Sequence, residues 1–108
     1  MENLYEILIP VKPNDVKPFD LRYNADGGFT DEHHKEFFEN ILTAVGGYTK
    51  LPTVEGAWMG DKKLYIEAMI PVRVMTDSET IDYLANIAKT HYEQEAIFVA
   101  NLGTAKIV

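Results

Sequence analysis

Glu55, Tyr65, Glu67 and Arg73 are the residues whose types and spacing could do chemistry in this chain. Three of them stand at odd positions of the stretch Leu64–Thr76, whose even positions Leu64, Ile66, Ala68, Ile70, Val72 and Val74 are all apolar. Successive side chains of a strand point to opposite faces, so the stretch reads as a strand with one apolar face and one that carries polar groups. Gly60-Asp61-Lys62 turns the chain into it from a preceding strand. A two-residue Gly60-Asp61 loop would pair Trp58 with Lys63 and Val54 with Glu67. A three-residue loop pairs Trp58 with Leu64 and sets Glu55 opposite Glu67. A slip of one residue flips a whole strand, so the hydrophobic pattern decides. The three-residue loop gathers Val54, Trp58, Leu64, Ile66 and Ala68 on one buried face and is the register expected.

That register has a chemical consequence. Like charges directly opposite on a sheet destabilise it. Glu55 and Glu67 then need a cation between them, or one carboxyl holds its proton more tightly. Lys50, Lys63 or Arg73 could supply the charge; a bound cationic ligand is the alternative, and both stand at this point.

The elements that must position these residues follow from pattern. Leu4–Val11 reads as a first strand, with Tyr5, Ile7, Ile9 and Val11 on one face and Pro10 and Pro13 at its end. Lys12–Phe29 is a long loop, with Arg22 and Tyr23 its most useful ligand-binding side chains, or a plain connector. Thr30 caps a helix whose stripe is Phe37, Phe38, Ile41, Leu42 and Val45, ended by Gly46-Gly47. Tyr48–Met59 reads as a strand interrupted by Pro52. Thr76-x-x-Glu79 is a capping box for a second helix with a stripe of Ile81, Leu84, Ala85, Ala88 and Tyr92. Ala96–Val99 is a further strand, Asn101-Leu102-Gly103 a turn, and Ala105–Val108 a short terminal strand. The order predicts an α+β, ferredoxin-like βαββαβ sandwich, an antiparallel sheet with both helices on one face. The other face, carrying Tyr5 or Leu8 with Tyr65 and Met69, is expected to be covered by a second copy in a homo-oligomer.

At 108 residues the chain is one domain, 1–108, with no repeat or linker. A net charge of −7 argues against nucleic-acid binding, which draws on Lys and Arg, and suits a cationic ligand or a basic partner. Cysteine is absent, which excludes disulfides and thiolate metal sites and fits a reducing cytosol. The first residues lack the basic region of a secretion signal, and no apolar run approaches a membrane span, so no membrane partner and a cytoplasmic location are expected. His33 and His34 are adjacent, hence about 100° apart on a helix, and cannot chelate as an i,i+4 pair would. They are expected at the surface, with His91 at the edge of the second stripe and no metal site.

Ala44-Val45-Gly46-Gly47-Tyr48, Val54-Glu55, Tyr65-Ile66-Glu67-Ala68, Val72-Arg73-Val74 and Tyr92-Glu93-Gln94-Glu95 form a skeleton over roughly the last 65 residues. It resembles that of the bacteriophage S-adenosylmethionine lyases, long called S-adenosylmethionine hydrolases. It is also similar to uncharacterised small bacterial and phage proteins of the same fold. The lyase resemblance implies a trimer in the host cytoplasm, with S-adenosylmethionine at subunit interfaces and no cofactor. The substrate's carboxylate attacks its own γ-carbon, giving methylthioadenosine and homoserine lactone, a reaction accelerated by orientation alone. Glu67 matches the family's strand glutamate and would hold the ammonium or sulfonium charge; Tyr48 matches a tyrosine that would stack on adenine or position the methionine part. Glu55, Tyr65 and Arg73 join them as substrate-binding residues on face geometry. The alternative is a non-catalytic oligomer of this fold that binds a small ligand or inhibits a host protein.

Overall fold

The computed structural model describes residues 2–13 and 22–108. The Asn14-Asp15 part of the long loop lies outside them. The elements are β1 (Asn3–Pro10), α1 (Asp31–Val45), β2 (Thr49–Lys50), β3 (Val54–Gly60), β4 (Lys63–Thr76), α2 (Ser78–His91) and β5 (Phe98–Thr104). Among the described residues, these strands make one antiparallel sheet in the order β2-β4-β1-β5, with β3 pairing β4 as well. β2 and β3 follow one another along the same edge of β4, joined by the Leu51 N–H to Pro71 carbonyl hydrogen bond of 2.9 Å. They are one strand broken at Pro52, where the missing N–H interrupts the ladder. The expected α+β, ferredoxin-like architecture is therefore present.

Both helices cover one face. Tyr5, Ile7 and Ile9 of β1 and Ile70, Val72 and Val74 of β4 meet Phe37, Phe38 and Ile41 of α1 and Ile81, Leu84 and Ala88 of α2 in the core. The Thr30 hydroxyl accepts from the His33 N–H, and Gly46 closes α1 at φ 81°, where a side chain would be strained. The second helix starts one residue later than its capping box predicts: the Asp77 carboxylate accepts from the Thr80 N–H at 2.7 Å, while Thr76 stays in β4. Asn101-Leu102-Gly103 is no turn. It lies inside β5, where the register with β1 shifts, Gly103 takes φ 103°, and its N–H meets the Asn101 side chain. Such an irregularity admits an extra residue without ending the strand. The last four residues form no strand.

The β3–β4 hairpin departs most from expectation. Its loop is Asp61-Lys62, both at positive φ (47° and 65°), which is the twist-matched geometry of a two-residue hairpin. Trp58 pairs with Tyr65, Gly56 with Glu67 and Glu55 with Ala68, so neither register weighed from sequence occurs. The expected register does hold at Thr49–Arg73 and Lys50–Val72; beyond Pro52 it has slipped by one residue. Gly60 belongs to the strand, paired with Lys63, and the Trp58 ring crowds the place where its Cβ would be. A lysine in left-handed backbone costs energy that glycine avoids. Lys62→Gly is therefore expected to raise stability by roughly 0.5–1 kcal/mol, glycine's own entropy included, read as a higher urea midpoint.

Candidate functional site

The residues singled out from sequence are dispersed, and the slipped register is what parts Glu55 from Glu67. Glu67 shares the face away from the helices with Tyr65, Met69, Trp58 and Val54. Glu55 pairs with Ala68 on the opposite face, so the two carboxylates are not apposed. Arg73 is on the Glu67 face but six residues further along β4, about 20 Å away, and its Nε meets Glu6 Oε1 at 3.2 Å. Tyr48 lies on the helical side, stacked on Phe38 with ring centroids 4.9 Å apart. Of the expected cluster only Tyr65 and Glu67 stay together. The Tyr65 ring stacks on Trp58 at 4.4 Å, which places Trp58 at the surface of the hairpin and not in the core. Glu67 has no ion-pair partner among the described residues.

A second cluster forms where sequence reading expected surface histidines. α1 begins where α2 ends, so His33-His34 meet His91-Tyr92 across the helix seam. His33 and His34 are buried and Tyr92 is fully buried. The His33 and His91 rings stack at 3.8 Å and 9°. Each donates from Nε2 to the other's backbone carbonyl, His33 to His91 at 2.7 Å and His91 to His33 at 2.6 Å. That tautomer, assigned from the carbonyl partners, leaves a lone pair on each Nδ1. His34 Nδ1 meets the Tyr92 hydroxyl at 2.8 Å, and Phe29 stacks on His33 from the other side.

Burial sets the protonation here. It lowers the His34 pKa to about 4, helped by the positive charge His33 and Lys50 would carry nearby. Burial also lowers that of His33, opposed by its hydrogen bond to the His91 carbonyl. Tyr92 is raised by burial alone, so it remains a phenol and donates to His34. His33 and His34 are thus neutral imidazoles at neutral pH, able to accept a hydrogen bond or bind a metal. Glu36, exposed one turn after His33, brings a carboxylate to the same place. Beside it a groove of about 440 Å³ runs along α2, lined by Tyr83, Asn86, Ile87, Thr90 and His91. Sequence reasoning weighed His33 with His34 on one helix and never set them against His91. The signal available was topological: helices of successive halves run antiparallel, so the start of one abuts the end of the other. Arg22 and Tyr23, expected to be free for a ligand, are engaged by Glu93, at 3.3 and 3.0 Å.

Neither a protein-family model nor a curated protein sequence matches the chain. Solved structures do. CutA1 from Oryza sativa superposes with a TM-score of 0.67 at 15% identity, covering 99% of this chain and 83% of that one. The divalent cation tolerance protein CutA1 of Thermus thermophilus matches with a TM-score of 0.67 at 11% identity, covering 100% and 88%. The periplasmic divalent cation tolerance protein CutA of Archaeoglobus fulgidus gives 0.66 at 11%, again covering 100% and 88%. These likenesses overturn the resemblance to the S-adenosylmethionine lyases, and with it the lyase reaction, that substrate and the phage setting. Within one subunit, Tyr48 lies on the helical side of the sheet and Glu67 on the other. No helix among the described residues is long and apolar enough to cross a membrane. At these identities the shared property is the fold, and the chain has the ferredoxin-like fold of the CutA1 proteins.

Proposed function

We propose that this protein is a non-catalytic, homo-oligomeric binding protein whose subunits join through the β3–β4 hairpin and take up a small cationic ligand beside Glu67. The hairpin carries the argument. It runs past the helical layer, leaving Trp58 50%, Met59 67% and Ile66 59% exposed, with large apolar side chains on both faces. Apolar surface of that kind marks an interaction site on a soluble domain. Glu67, set among Tyr65, Trp58 and Met69, would be desolvated by a neighbouring copy, and a buried carboxylate needs a cation. The net charge of −7 and the divalent cation tolerance named for the structural neighbours favour the same ligand class. Glu55, Tyr48 and Arg73 have no part in this site.

Sedimentation velocity tests the assembly. The wild type is expected to run as an oligomer of the 12.2 kDa chain at micromolar concentration. Leu64→Glu with Ile66→Glu, both exposed in the single subunit, should leave the fold intact and weaken association at least about thirtyfold. A wild-type monomer at that concentration would refute the reading. A thermal-shift screen of small organic and inorganic cations tests the ligand: stabilisation lost in Glu67→Gln, with the ligand recovered unaltered, supports it.

A further inference from the structure

We propose that His33, Glu36 and His91 bind a divalent transition-metal ion of the zinc class within one subunit, at the seam between α1 and α2. The site is separate from Glu67, which belongs to the sheet, and does not depend on the oligomeric reading. One donor atom from each of the three residues lies within 4.8 Å of the other two. Tetrahedral zinc with bonds of about 2.0–2.2 Å sets its ligands roughly 3.5 Å apart, so closure draws the three donors together by up to about an ångström. His33 and Glu36 are three apart on α1 and therefore neighbours on its surface. Two imidazoles and a carboxylate suit zinc and its transition-metal neighbours, whereas calcium and magnesium prefer oxygen ligands throughout. Three protein ligands leave a coordination position for water.

The hydrogen bond on His33 is the kind a metal-binding histidine needs. The His91 carbonyl holds the His33 Nε2–H at 2.7 Å, which fixes the tautomer and leaves a lone pair on Nδ1. In the metal-free chain the His33 carbonyl holds His91 at 2.6 Å, a bond that metal binding gives up. One rearrangement is required. A metal lies in the plane of each imidazole that binds it, and two rings stacked at 3.8 Å and 9° share no such point. One ring must turn about its Cβ–Cγ bond. His91 is the ring with room, since it is half-buried and forms one wall of the 440 Å³ groove, which also gives the ion its way in. The turn gives up the stacking and the bond to the His33 carbonyl, so the site binds more weakly than a preformed one.

Zinc chloride titrated into the chelator-stripped full chain by calorimetry tests this, with histidine ring nitrogens followed by NMR. The expected result is one zinc per subunit, with the His33 and His91 Nδ1 resonances shifted. Glu36→Gln, an exposed change that leaves the fold alone, should weaken binding about tenfold or more, and His91→Ala at least as much. Glu67→Gln and the monomeric Leu64→Glu, Ile66→Glu variant should bind zinc as the wild type does. Absence of binding, unaltered affinity in Glu36→Gln, or binding that disappears with the oligomer would each overturn the proposal.

Discussion

Acidifying the metal-free protein from pH 7 to pH 4 is expected to remove about 3 kcal/mol of stability through His34 alone. Its ordinary pKa of 6.5 applies to the unfolded chain, and burial against Tyr92 takes the folded value to about 4. Between those values the unfolded chain binds a proton that the folded protein refuses, so stability falls as pH falls. The contribution is complete above about 6.5 and fully withdrawn below about 4. His33, also lowered, adds in the same direction. Small domains have roughly 5–15 kcal/mol in all, so the loss is large. Urea unfolding in the presence of chelator, at pH 7.5 and 4.5, measures it. Carboxylates titrate in part of the same range, so the comparison is with His34→Gln. An unchanged pH slope in that variant would show that His34 is not the titrating group.

Tyr92→Ala is expected to cost about 4 kcal/mol, the largest loss at any single residue discussed above. Tyr92 is fully buried at the end of α2, and its ring meets Phe29, His33, His34 and Phe37 edge-on or tilted. Its removal opens a cavity between the helix ends and the Phe29 segment. Tyr92→Phe keeps the ring and loses only the hydroxyl that satisfies His34 Nδ1, so about 1–2 kcal/mol is expected. The gap between the two variants, read from urea midpoints, separates packing from hydrogen bonding. Equal losses would place the whole contribution in the hydroxyl and contradict the packing argument.

The two sites differ in how far sequence could reach them. Glu67 was legible because alternation along Leu64–Thr76 assigns its face whatever its partner strand does. The place of Glu55 was not, because it depended on the register of the neighbouring strand. Pro52 removes one ladder hydrogen bond, and past it the pairing slips by one residue. That flips Glu55 away and brings Trp58 over Tyr65. Asp61-Lys62 gave no warning, since lysine is a poor signal for a left-handed turn. The histidines were misplaced for another reason. A polar residue at a helix start reads as exposed, and only the apposition of α1 and α2 supplies the His91 carbonyl that meets the buried His33.

By itself the sequence determined the two helices, the order of the elements, and the core face of β1 and of the second half of β4. Periodicity, caps and breakers act over a few residues and need no knowledge of neighbours. The tertiary structure alone decided which side chains meet: the one-residue slip at Pro52, the hairpin left bare beyond the helices, and the stacked histidines at the seam. Those choices rest on contacts between residues far apart in the chain, and local pattern has no term for them.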